Sequence, residues 1–181
     1  LAACVLALPG LLALPVPAQT VQSEKHAFRV VTLARGLQHP WSIAFLPDGR
    51  MLVTERPGRL RIVGRDFKVD PAPVEGLPAV TAAGQGGLLD VALHPQYAQN
   101  GWIYWSYNAE GPGGWGTALA RGKLSGNRMT EVQVLFSMEP KTRAVHHFGG
   151  RIVFDRKGFV YLTLGDRGDM ARAQRLDDHA G

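Results

Sequence analysis

Three stretches of this chain share one shape, and the shape returns every 50 to 60 residues or so, roughly the period of propeller blades. They are Trp41-Ser42-Ile43-Ala44-Phe45, Leu89-Asp90-Val91-Ala92-Leu93 and Gly150-Arg151-Ile152-Val153-Phe154. Each is a short apolar or alternating run that ends in a Pro or Asp turn and leads into a second, more aromatic run. Short runs bounded by turn residues read as β-strands, and no segment carries a long apolar period of 3.6. The chain is therefore expected to be all-β. A β-sandwich with regular turns would also space its strands evenly. Repetition of the whole unit favours a β-propeller instead, because such a unit cannot bury its faces alone and must stack on its neighbours. Propellers typically close with about 4 to 8 blades. Three units then read as roughly the first three blades of a larger domain.

The turns support this division. The first unit runs SIAFL, Pro47-Asp48-Gly49-Arg50, MLVTER, Pro57-Gly58, RLRIV, a three-strand meander with strong turn dipeptides. The second opens at Gly84-Gln85-Gly86-Gly87 and holds four strands: LLDVAL, WIYWSYNA, TALARGKLS after a Gly-rich segment from Gly111 to Gly116, and VQVLFS. The third is GRIVF, a turn, and FVYLTLGD. Ahead of them a polar link, Gln22 to Lys25, precedes a first β signal at Phe28 to Leu33. The organisation expected is 1–18 leader, 19–35 link and first strand, and 36–181 partial propeller.

The leader is read from charge. Residues 1–20 carry none, yet they are too short and too broken by proline for a comfortable membrane span. They resemble the apolar part of a secretory signal, with Val16-Pro17-Ala18 as a small-residue cleavage site and the charged start missing. A periplasmic or secreted protein, without stable membrane insertion, is the expectation. Leu1-Ala2-Ala3-Cys4 also resembles a lipoprotein box, but there the apolar run would precede the cysteine, whereas here it follows. Cys4 is the only cysteine, so beyond the leader there is no thiol for disulfides or thiolate metal sites. Of the whole chain, 45% is hydrophobic and 19% charged, ordinary globular material. The net charge of +5 is spread without a basic block, which argues against nucleic acid and leaves some pull on anionic ligands.

The strongest hint of chemistry is VHHFGGRIVFDRKGFVYLTLGD, Val145 to Asp166. Two histidines precede one strand and an aspartate follows its partner. The outer ends of a hairpin come back together, so His147 and Asp166 are expected at one mouth of a sheet. A carboxylate beside an imidazole fixes its tautomer and stabilises its charged form, as a general base requires. The plain alternative is a loop histidine and an ordinary Gly-Asp turn. Asp90 reads as structural, bonding backbone within its strand, and Arg151 either reaches an anionic ligand or braces the hairpin.

HPWSIAFLPDGRMLVTERPGRLRIV, GQGGLLDVALHPQY, HHFGGRIVFD and the closing LGD…AQ…G occur in this order over about residues 36 to 181. In them the chain resembles the soluble pyrroloquinoline quinone (PQQ)-dependent aldose sugar dehydrogenases of the glucose/sorbosone dehydrogenase family. The resemblance implies a six-bladed β-propeller with the quinone across its central mouth. It implies oxidation of the anomeric carbon of an aldose to a lactone, with a histidine taking the hydroxyl proton and hydride passing to the quinone. It also implies Ca2+ to hold and polarise the cofactor, and an electron acceptor whose identity it leaves open. Carried over by position, the histidine before Phe-Gly-Gly-Arg is His147, the base. Gln85 matches a glutamine that contacts the quinone, its amide offering both a donor and an acceptor. Asp166 falls where relatives carry an acidic residue that can orient the base, and His146 is given no base role. The calcium ligands and most basic quinone contacts are implied beyond Gly181, so no residue here is assigned to metal. The 181 residues alone are expected to be inactive. Two other readings stay open. One is a non-catalytic recognition propeller of the same group, such as those binding hedgehog signals; the other is a calcium-dependent lactonase-type propeller.

Overall fold

The structure is a computed structural model that describes residues 19–180. The leader and Cys4 lie outside the described residues. The chain divides into two compact units, one ending at Leu33 and one beginning at Ala34. In the first unit, β1 (Gln19–Gln22) pairs antiparallel with β2 (Ala27–Val30), and the Ser23 hydroxyl and the His26 backbone close the turn between them. The expected first strand, Phe28–Leu33, thus begins one residue earlier and ends three earlier, and part of the expected polar link is itself a strand. Ala27–Val30 is exposed throughout, so no buried face marked its register in the sequence.

The second unit is a stack of antiparallel sheets. The first sheet is β3 (Pro40–Phe45), β4 (Met51–Glu55) and β5 (Arg59–Val63). The second is β6 (Leu88–Leu93), β7 (Trp102–Gly111), β8 (Gly114–Ser125) and β9 (Arg128–Ser137). The third is β10 (Gly149–Phe154) with β11 (Val160–Leu164). A single helical turn, α1 (Tyr97–Asn100), links β6 to β7. The Gly-rich segment between the second and third strands of the second sheet is a tight hairpin. Gly111 pairs with Gly114 around Pro112-Gly113, and Gly113 takes the positive φ of 85° that the second turn residue needs. This lets β7 and β8 run to 10 and 12 residues.

Apolar faces join the sheets. Ala44, Leu52, Leu60 and Ile62 of the first pack on Leu88, Val91, Ile103 and Trp105 of the second in one buried cluster. The opposite face of the second sheet, Tyr104, Leu119 and Phe136, packs on Ile152, Phe154, Val160 and Leu162 of the third.

A polar joint recurs beside this packing. In each sheet the first strand is irregular at the same place, where Trp41, Leu89-Asp90 and Gly150-Arg151 break the register with the second strand. A hydroxyl on the second strand fills each irregularity. Thr54 Oγ1 accepts from Ser42 N (3.0 Å) and donates to Leu89 O of the next sheet (2.6 Å). Ser106 Oγ accepts from Asp90 N (3.0 Å) and donates to Gly150 O of the next sheet. Thr163 Oγ1 accepts from Arg151 N (2.9 Å). Each β-bulge leaves one residue outside the ladder, and the hydroxyl satisfies what the ladder gives up. Asp90 strengthens the same seam. Its carboxylate accepts from Val91 N (3.0 Å), from Ile152 N of the third sheet (2.9 Å) and from the Ser42 hydroxyl of the first (2.5 Å). It is the structural aspartate the sequence suggested, and it joins three sheets rather than one strand. Arg151 reaches Asp90 of the second sheet at 3.4 Å and lies 4.2 Å over the Trp41 ring of the first, so it braces the seam between sheets and not its own hairpin.

Candidate functional site

His147 precedes β10 by two residues and Asp166 follows β11 by two, so the hairpin carries both to one end of the third sheet. His147 Nδ1 stands 2.7 Å from Asp166 Oδ1. The same carboxylate oxygen accepts the Gly168 N–H at 2.8 Å. That backbone bond first, and the imidazole second, hold the Asp166 carboxyl below its usual range, so it is ionised at neutral pH and can only accept. The neutral imidazole therefore carries its proton on Nδ1, and the lone pair sits on Nε2. The His147 side chain is 54% exposed, so Nε2 is open to a ligand, while Asp166 is 18% exposed behind it.

The approach is tight. A Cβ at Gly165 would run into the backbone carbonyl of His147, and one at Gly168 into the His146 ring. His147 itself holds a positive φ of 53°, which a non-glycine residue adopts only when its surroundings impose it.

Gln85 comes from the loop before β6, and it meets the histidine segment twice. Its N–H donates to Val145 O (2.8 Å), and its side-chain Oε1 accepts the His147 N–H (3.0 Å). This decides which way the amide points. Oε1 is engaged by protein, so the two N–H bonds of Nε2 are the donors that Gln85 offers a ligand. The glycines around it let the loop lie against its neighbours: a Cβ at Gly84 would strike Val145 O, and one at Gly86 would come 2.5 Å from the Phe148 ring. Arg56, at the turn between β4 and β5, donates from Nη1 to Gly84 O and holds this loop from the other side. Sequence reasoning missed it, because nothing in Glu55-Arg56-Pro57 separates an arginine facing a loop 28 residues away from one facing water.

His146 lies edge-on to His147 with ring centroids 4.7 Å apart, and it does not contact Asp166 by hydrogen bond. Among the described residues, no three His, Cys, Asp or Glu side chains come together as a metal ion would need. An organic ligand is better served. One mouth presents a base lone pair at His147 Nε2 and amide donors at Gln85, on loops fixed to each other by two hydrogen bonds. These groups fit a planar quinone, which needs donors for its carbonyls and an open face for a substrate.

The family described as Glucose / Sorbosone dehydrogenase matches residues 37–181. The chain belongs to the glucose/sorbosone dehydrogenase family. Aldose sugar dehydrogenase YliI of Escherichia coli is 44% identical over 158 residues, covering 84% of this chain and 42% of that protein. A crystal structure of glucose dehydrogenase superimposes with a TM-score of 0.77 at 43% identity, over 82% of this chain and 44% of its own. The PQQ-bound form of the aldose sugar dehydrogenase from Streptomyces coelicolor superimposes with a TM-score of 0.70 at 28% identity, over 91% and 48%. This chain spans less than half the length of these relatives. Its stacked sheets are blades of the β-propeller that the family builds, and it supplies about three of them.

Proposed function

We propose that this chain carries the base-bearing side of a quinone-dependent dehydrogenase that oxidises the anomeric carbon of an aldose to a lactone. The observation that carries the reading is the His147–Asp166 pair at 2.7 Å, open at Nε2 and tied through its backbone to Gln85. Bound PQQ would supply the two-electron acceptor for the hydrogen that leaves the anomeric carbon as hydride. Everything else falls to the protein. His147 Nε2 takes the proton of the anomeric hydroxyl as the C–H bond breaks, leaving a lactone C=O and a protonated imidazole. Asp166 stabilises that imidazolium through Nδ1–H without itself accepting the proton, because its own affinity for protons is lowered by Gly168 N–H. Gln85 Nε2 donates to an electronegative atom of the cofactor and, through Oε1, keeps the base segment in place. The family match and the PQQ-bound relative support the general class; the division of labour among these residues rests on their geometry. The uncharged leader supports a periplasmic site of action, which cell fractionation checks directly.

The test is dye reduction by the full-length protein with PQQ, Ca2+ and a panel of aldoses, repeated on His147→Ala. Quinone-dependent activity that falls on the order of 10²- to 10⁴-fold in the variant is expected for loss of a general base. Absence of both activity and quinone binding in the unaltered protein would point instead to a recognition propeller.

A further inference from the structure

The segment after Asp166 holds an arginine whose placement is hard to explain as a surface charge. Arg167 is 4% exposed. Its backbone takes a positive φ of 60°, and its side chain turns inward. Nε donates to His146 O (3.0 Å), Nη1 to Trp115 O (3.2 Å) and Nη2 to Ala144 O. The guanidinium carbon lies 3.6 Å from the centre of the Phe148 ring. Among the described residues no carboxylate pairs with it, and burial, with some repulsion from Arg172, pushes its pKa down to about 10, still charged at neutral pH. A buried cation without a counter-ion is costly, so its carbonyl acceptors and the aromatic face must hold it in place. All but one of those partners flank a single residue. Ala144 and His146 stand before His147, Phe148 stands after it, and Arg167 itself follows Asp166 directly. Trp115 belongs to β8 and anchors the assembly to the second sheet.

We propose that Arg167 is the positioning residue that sets the His147–Asp166 pair: it ties the backbone before the histidine and the Phe148 ring after it to the residue next to the carboxylate. The inference rests on the functional reading above for its consequence in catalysis, but not for its effect on the pair. A planar fork is required, because several carbonyls are met at once in fixed directions while one face stacks on a ring. Lysine keeps the charge and loses the fork. Asp166 has its own bond to Gly168 N–H, so it stays ionised without Arg167; what the clamp supplies is the approach of the two segments.

The experiment uses the full-length protein with 15N-labelled histidine. The Nδ1–H resonance of His147 is assigned by its loss in His147→Gln. In the unaltered protein it is expected far downfield and slow to exchange, as a hydrogen-bonded imidazole proton. In Arg167→Met and Arg167→Lys it is expected to move upfield or exchange away, with His147 sampling both tautomers. The turnover number should fall on the order of 10²-fold, as misplacement by about 1 Å can do, while KM for the sugar changes little. Thermal unfolding is followed in parallel. If the methionine variant does not fold, the lysine variant is decisive. A folded Arg167 variant that keeps the downfield signal would overturn the proposal. If the unaltered protein oxidises no sugar yet its His147 signal depends on Arg167, the positioning role stands and the enzymatic reading falls.

Discussion

At the scale of single residues, the site is a carboxylate of fixed sign that sets where its histidine partner carries a proton. Asp166 accepts Gly168 N–H and the imidazole on the same oxygen, which commits it to the ionised form and commits His147 to one tautomer. Asp166→Asn keeps the volume but can present an N–H where the carboxylate only accepted, which favours the wrong tautomer. Turnover is expected to fall on the order of 10²- to 10⁴-fold with little change in folding stability, checked by steady-state kinetics beside urea unfolding. The sequence made this pair legible because a hairpin returns its own ends, and only 19 residues separate them. It did not make Arg167 legible. A basic residue in Gly-Asp-Arg-Gly-Asp looks solvated until Ala144, His146 and Trp115 are seen to turn their carbonyls toward it. Gln85 was half legible: its position was, but not that 62 residues away the His147 N–H takes up its oxygen.

At the scale of elements, the strands are specified by turn chemistry and apolar alternation, whereas the seams between sheets depend on hydroxyls that look interchangeable in sequence. Ser106 sits within an aromatic strand and reads as a polar interruption, yet its oxygen serves both Asp90 N and Gly150 O while wholly buried. Ser106→Ala leaves a buried donor and a buried acceptor unmet. A loss of about 1 to 3 kcal/mol for each group left unsatisfied is expected, read as a lower urea midpoint. The closing segment has its own lock. Arg172 meets Asp178 through two hydrogen bonds of 2.9 Å, which pull the aspartate's pKa from 3.8 to about 2. A carboxylate with a lowered folded-state pKa stabilises above its unfolded value and loses that contribution as pH falls through the folded one. Backbone amides of residues 172–180 should therefore keep their exchange protection above about pH 4 and lose it as pH approaches 2. In Asp178→Asn that acid dependence should disappear, with protection already low at neutral pH.

At the scale of the whole molecule, the repeat in the sequence is also the repeat in space, and for that reason the fold class could be read from 181 residues. The outer faces of the stack stay apolar. Val153 lies opposite Tyr161 on the third sheet, 58% and 57% exposed, and Phe45 on the first is 69% exposed. The 181-residue chain on its own is expected to bind a hydrophobic dye and to associate as concentration rises, measured by sedimentation velocity. The seams add something that packing cannot. In every seam the hydroxyl belongs to the earlier sheet and the carbonyl to the later one: Thr54 gives to Leu89, Ser106 gives to Gly150. Such a contact is heterologous, head to tail, and the stack has a sense of direction like the subunits of a ring. Tandem duplication of one sheet with its bulge and hydroxyl would lengthen the stack without altering any existing joint, whereas reversing the middle sheet would break both. A molecule joined this way can change its number of blades by copying, and it cannot change their order of facing.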